Sequence, residues 1–184
     1  MRYSDTLQEA FLVNTNINSR ASVPAVESDS CAISKFMKQS TTMGCWAACI
    51  ATIVNYKKSS NITEEGVISA SGITSGADIN QTLSVLNDYS LSYKSTLSKI
   101  GWSRVKSCIS ADYPFIIGLE SGGMGHMITG YGYSCTQGDP DSDTASRYVK
   151  AWDPVGSKIS FAYYSTYVTC SGYTGQWVST IYDN

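Results

Sequence analysis

The sequence predicts an α+β fold, with a mostly helical first half packed against a mostly antiparallel β second half and a cleft where the halves meet. Three observations carry this. Between Gly44 and Ile109 the apolar residues recur three and four apart, the spacing of a helix face. After Pro114 the texture changes to short runs rich in β-branched and aromatic residues, separated by Gly, Ser and Asp clusters. The 184 residues are 42% hydrophobic, enough for one domain with a buried core.

Residues 1–30 read as a polar N-terminal arm or the remnant of a pro-segment, with a short apolar patch at 10–13. The compact domain is expected over 31–184. Its first helix starts after Gly44, where Trp46, Cys49, Ile50, Ile53 and Val54 form one stripe. It ends at "YKKSSN", with basic residues in the last turn. Thr63 can cap a second helix, with Glu64 and Glu65 suited to the positive end of its dipole. Asp78 can cap a third, with Ile79, Leu83 and Leu86 facing inward. Trp102, Val105 and Ile109 suggest a fourth. "PFIIGLE", "HMITGYGY", "RYVKAWD", "KISFAYY" and "GQWVSTIY" then read as strands.

Charged residues make up only 15% and the formal net charge is −2, so no basic face invites nucleic acid. The longest apolar runs, such as "PFIIGL", are too short to span a bilayer. Solubility carried by hydroxyls and amides suits an exported protein whose signal segment does not appear in this sequence. Six cysteines with no CxxC spacing and a single histidine, His126, argue against a structural zinc site. Cys135 and Cys170 each end a strand-like run, where neighbouring strand ends could place them within disulfide distance; two reduced thiols are the alternative. "GDPDSD" sets Asp139, Asp141 and Asp143 at alternate positions, but lacks the Gly and Glu of a calcium loop and reads as a solvated hairpin.

A cysteine nucleophile needs a position that favours thiolate, a proton partner and a donor for the developing oxyanion. Cys45 stands at the expected helix N-terminus, where free N–H groups favour an anionic sulfur. Cys49 sits a turn further in, where the backbone donors are used. His126, at the start of a strand after the glycine-rich "SGGMG", is the only imidazole. Asp153, fixed by Pro154 at a strand end, could hold the ring's other nitrogen. Gln39, six residues before Cys45, could donate to an oxyanion jointly with the Cys45 N–H. Each residue alone has a bland explanation as core, turn or surface; the combination carries the reading.

Gln39, "GCWAA", a strand-borne His126 and Asp153 before Pro154 resemble the papain-like cysteine peptidases. Papain's own signature is C-G-[SA]-C-[WY]; this chain keeps the nucleophile and Trp46 but has Thr42 in place of the first cysteine. The interval from Cys45 to His126 is also well short of papain's roughly 130–150 residues. That short interval points to the compact bacterial branch, which includes bacteriocin-leader peptidases and some effectors of plant pathogens. The resemblance covers about Ile33 to the C-terminus. It implies a papain-like fold with the site in the cleft between helices and sheet. It further implies hydrolysis of peptide bonds in a peptide or protein substrate by a Cys45–His126–Asp153 triad, a Gln39-assisted oxyanion hole, and no metal or cofactor. Trp152 and Trp177 would then be placed to shield the His126–Asp153 pair. Two other readings share these residues: an acyltransferase or amidase, and a catalytically silent binding module on the same fold.

Overall fold

The computed structural model describes residues 25–136 and 146–183. Four helices and eight strands follow one another along these segments. The strands are β1 (Val26–Ser30), β2 (Tyr93–Thr96), β3 (Phe115–Ser121), β4 (Met124–Thr136), β5 (Tyr148–Asp153), β6 (Ser157–Ala162), β7 (Val168–Cys170) and β8 (Tyr173–Asp183). The helices are α1 (Cys45–Lys58), α2 (Glu64–Ser71), α3 (Ile79–Asp88) and α4 (Trp102–Ser110). The class is α+β, as the sequence indicates.

Every strand pair is antiparallel, in the order β2-β8-β3-β4-β5-β6. The long strand β4 is shared along one edge: Met124 to Gly130 pair with β3, and Gly132 to Thr136 pair with β1. Strand β8 is shared in the same way, with β7 beside its start and β2 beside its end. Among the described residues no helix is long and apolar enough to cross a membrane.

Side chains alternate across a strand, so β3 feeds both faces of the sheet. Ile116 joins an apolar cluster with α1, α2 and α3, including Trp46, Ile50, Ile53, Val67 and Leu86. Phe115, Ile117 and Leu119 join the opposite cluster, with Trp102, Ile128, Val149, Tyr163 and Trp177. Helix α1 differs from the single stripe expected of it: Trp46 through Asn55 are all buried. The sheet covers one side while α2 and α3 pack on others, and Ala47, Ala48 and Ala51 are small enough to let them approach.

The expected caps form. Thr63 accepts from the Gly66 N–H at 3.1 Å, and Asp78 makes a full capping box with Gln81. On α3 the inner face is Ile79, Thr82, Val85 and Leu86, with Leu83 at its margin. Strand β1 lies within the segment read as an arm, so the sheet starts before residue 31; the remainder of that segment, 1–24, lies outside the described residues. The 139–143 loop lies outside them too. No disulfide joins Cys135 to Cys170. The two sulfurs serve different neighbourhoods: Cys135 Sγ is 3.9 Å from Glu27 Oε2, whereas Cys170 contributes to the surroundings of His126.

Candidate active site

Cys45 is the first residue of α1, with Gly44 as N-cap and no side chain capping that end. The first-turn N–H groups are therefore available to an anion at this end of the helix. The Cys45 sulfur is half-buried and lines a cleft of about 660 Å³ together with Trp46, Met43, Leu97, Leu119 and His126. Cys49, one turn on, is fully buried, and burial pushes its thiol well above the ordinary range.

His126 reaches the same cleft from the sheet. Strands β3 and β4 form a hairpin whose turn runs through Gly122 and Gly123, both at positive φ (57° and 81°), where side-chain-bearing residues are strained. The tight turn brings His126 opposite Leu119 and close to the cleft rim. Asp153 is the last residue of β5 and is wholly buried. Its Oδ1 lies 2.9 Å from His126 Nε2 and also accepts the Val155 N–H at 3.1 Å. A carboxylate partner fixes the proton on Nε2 and leaves Nδ1 for Cys45. The Tyr173 ring packs on the imidazole at 5.3 Å between centroids. Trp177 belongs instead to the opposite core cluster, and Trp152 stacks on Phe36 and donates to the Met37 carbonyl.

The electrostatics favour a charged pair. Burial opposes charge on His126, but hydrogen bonds with Asp153, Cys170 and Cys45 outweigh it and raise the imidazole to about 11. Burial likewise raises Asp153, and hydrogen bonds from His126, Ser171 and the Val155 N–H override it, holding the carboxyl below its ordinary value. At neutral pH the ring is an imidazolium, with the Asp153 carboxylate on one side and the Cys45 sulfur on the other.

Gln39 occupies the loop before α1. Its N–H donates to the Pro154 carbonyl at 2.8 Å, which ties the loop to the end of β5. Its Nε2 donates to the Thr41 carbonyl at 3.0 Å and reaches the Thr42 carbonyl at 3.5 Å, while Oε1 is buried without a partner. The amide is thus folded onto its own loop, with its second N–H at the limit of bonding. Gln39 is not among the residues lining the cleft.

Two nearby residues carried no signal in the sequence. Cys170 reads as a strand end, yet its sulfur lies by the His–Asp pair because β7 folds beside β8. His126, Asp153 and Cys170 offer ligand atoms within 4.8 Å of one another, and among the described residues this is the group able to hold a metal ion. An ion there would take the place of the His126–Asp153 hydrogen bond. Glu64 reads as a first-turn acid, but its carboxylate turns onto the Gln39 loop.

The sequence of the papain-like cysteine protease AvrRpt2 family matches residues 27–167. No curated protein matches the chain by sequence. Solved structures share the fold, two of them as follows. One is a double-glycine-motif protease from an AMS/PCAT transporter in complex with the leader peptide, 14% identical, with a TM-score of 0.55 over 85% of this chain and 95% of that one. The other is the peptidase domain of Streptococcus ComA, a bifunctional ABC transporter involved in a quorum-sensing pathway, 15% identical, with a TM-score of 0.52 over 80% of this chain and 95% of that one. At such identities the likeness is one of fold.

Proposed function

The chain belongs to the AvrRpt2 family of papain-like cysteine proteases, and from that premise we propose that it hydrolyses peptide bonds with Cys45 as nucleophile, His126 as proton carrier, Asp153 as the residue orienting His126, and Gln39 with the Cys45 N–H as oxyanion donors. One observation carries the proposal above the others. The buried 2.9 Å contact between His126 and Asp153 opens onto the cleft that Cys45 enters from a helix N-terminus.

The Cys45 thiolate attacks the scissile carbonyl carbon, and the carbonyl π electrons move onto oxygen. The Cys45 N–H and one Gln39 N–H, swung away from the loop carbonyls, receive that oxyanion. As the intermediate collapses, the C–N bond breaks and the His126 Nδ1 proton passes to the leaving amine. Neutral Nδ1 then takes a proton from water, whose oxygen attacks the thioester. The acid product departs, and thiolate and imidazolium are restored. Asp153 stays ionised throughout and keeps Nε2 protonated.

A peptide substrate fits the cleft, and the leader peptide bound to the double-glycine-motif protease supports the same class here. Peptide-library cleavage with product masses tests the reading. Hydrolysis requires that each product pair sum to the substrate plus one water; a product carrying an added amine instead would signal acyl transfer. Cys45→Ala and His126→Ala should each lower kcat/KM by about 10³-fold or more. Cleavage retained by Cys45→Ala would overturn the assignment.

A further inference from the structure

Glu64 is 1% exposed, an unusual state for a carboxylate. Among the described residues it forms no salt bridge. Three donors from one loop satisfy it instead. Oε2 accepts the Ser40 N–H, while Oε1 accepts the Thr41 N–H at 3.3 Å and the Thr41 hydroxyl at 3.1 Å. Its place in the first turn of α2 adds a favourable dipole. Burying an anion without a cation is costly, and here its partners all lie in the segment that leads into Cys45.

That segment has no slack. A Cβ at Gly44 would lie 1.5 Å from Glu64 Oε1, so the chain passes against the carboxylate just before the nucleophile. The Gly44 N–H closes the loop onto the Thr41 carbonyl at 3.2 Å. The same carbonyl receives the Gln39 amide. Thr41 is therefore held by Glu64 through its N–H and hydroxyl, and its carbonyl in turn meets both Gln39 and Gly44. At the loop's other end the Gln39 N–H is held by Pro154.

We propose that Glu64 is a positioning residue for peptide hydrolysis: it holds the loop from Gln39 to Gly44 so that the Gln39 amide and the Cys45 N–H converge on the oxyanion. The proposal rests on the reading of Gln39 given above. Glu64 touches neither substrate nor the reacting atoms; it acts through Thr41. Two reactions separate this role from general support of the fold. Peptide hydrolysis passes through an oxyanion. Alkylation of Cys45 by iodoacetamide forms an S–C bond and expels iodide, and needs none.

The test compares Glu64→Gln, Thr41→Val and Gln39→Ala with the parent chain. Glu64→Gln keeps the shape but turns an NH₂ toward N–H donors. It should lower kcat by about 10- to 100-fold with KM within about twofold, the scale of a misplaced oxyanion donor. The rate and pH profile of Cys45 alkylation should not change. Thr41→Val removes only the hydroxyl donor, creates no buried charge, and should show a smaller drop of the same kind; it decides the matter if Glu64→Gln does not fold. Alkylation that falls in step with kcat would overturn the proposal, because Glu64 would then be supporting the nucleophile or the fold. If Gln39→Ala slows hydrolysis while Glu64→Gln and Thr41→Val do not, the role of Glu64 alone is lost. If Gln39→Ala leaves kcat unchanged, the oxyanion reading fails and this inference with it.

Discussion

Replacing Asp153 by asparagine and by alanine separates two things the carboxylate supplies, a hydrogen-bond acceptor and a negative charge. Oδ1 accepts His126 Nε2 at 2.9 Å and the Val155 N–H at 3.1 Å, and the Ser171 hydroxyl also lies against the carboxyl group. In Asp153→Asn the amide oxygen can take over the bonds from His126 and Val155, and the Ser171 hydroxyl, which accepts as well as donates, can face the NH₂ group. What is lost is the charge assistance, about 1–2 kcal/mol when a charged hydrogen bond becomes a neutral one. At 1.36 kcal/mol per tenfold this is about a 5- to 30-fold fall in kcat/KM. Alanine leaves a buried imidazolium N–H and a backbone N–H without acceptors. Breaking a buried pair in this way costs about 3–5 kcal/mol, or roughly 10²- to 10⁴-fold. Charge also sets where the alkaline limb of the pH profile falls: Asp153 helps to raise His126, so removing the charge should move that limb to lower pH. The assay is kcat/KM on one peptide from pH 5 to 10 for the parent and both variants. If asparagine proves as damaging as alanine, the geometric part of this reasoning is wrong and the charge itself is indispensable. His126 would then be acting as a general base on a neutral thiol.

Iodoacetamide near pH 6 should alkylate Cys45 before any other cysteine, read by peptide mass mapping. Cys45 is half-buried and lines the cleft, whereas burial raises Cys31 to about 12 and Cys108 to about 11 and holds Cys49 well above the ordinary range. Faster labelling of any of those three would contradict the structure. Stability should also follow the ion pair. His126 has a raised folded value, so its contribution is complete below the unfolded value of about 6.5 and is lost as pH rises toward about 11. Asp153 is lowered, so its contribution holds above about 3.9 and fades as pH falls through its folded value. Urea unfolding of the parent and of His126→Gln should show the widest gap between about pH 5 and 6 and a narrowing gap toward pH 10; a gap that widens over that range would contradict the sign.

Much of this architecture can be read from local chemistry. Thr63 and Asp78 announce helix starts because a side-chain oxygen two or three residues before an apolar run has one dominant use. The strand runs after Pro114 are visible because the central strands are buried on both faces, and an edge strand such as β6 still turns Ile159 and Phe161 toward the core, so β-branched and aromatic residues are selected. Strands β1, β2 and β7 escape such reading. "VESDS", "YKST" and "VTC" are short and polar, and each becomes a strand only because a longer partner, β4 or β8, offers it an edge. The site divides likewise. The candidates Cys45, His126 and Asp153 stand out in the sequence because each lies at or near the end of an element and because His126 has no rival. Gln39 is legible as a donor, but its amide lies on Thr41 in the structure. Glu64 and Cys170 depend on contacts between segments remote in sequence, which no spacing along the chain encodes.

The stitching of the loop to the end of β5 bears on how such a chain could change over generations. Trp152 donates to the Met37 carbonyl at 2.8 Å, and the Gln39 N–H is held by Pro154 at the same distance. Positions 37–39 and 152–154 are therefore heritable as a block: a backbone shift at either is transmitted to the other, and with it both Gln39 and Asp153 move. Variation should enter this block as paired changes, whereas the Gly122–Gly123 hairpin tip beside the cleft lies outside that stitching and can change without moving Gln39 or Asp153, provided both positions keep a positive φ. New substrate preferences would then arise from the hairpin side, leaving the inherited block intact.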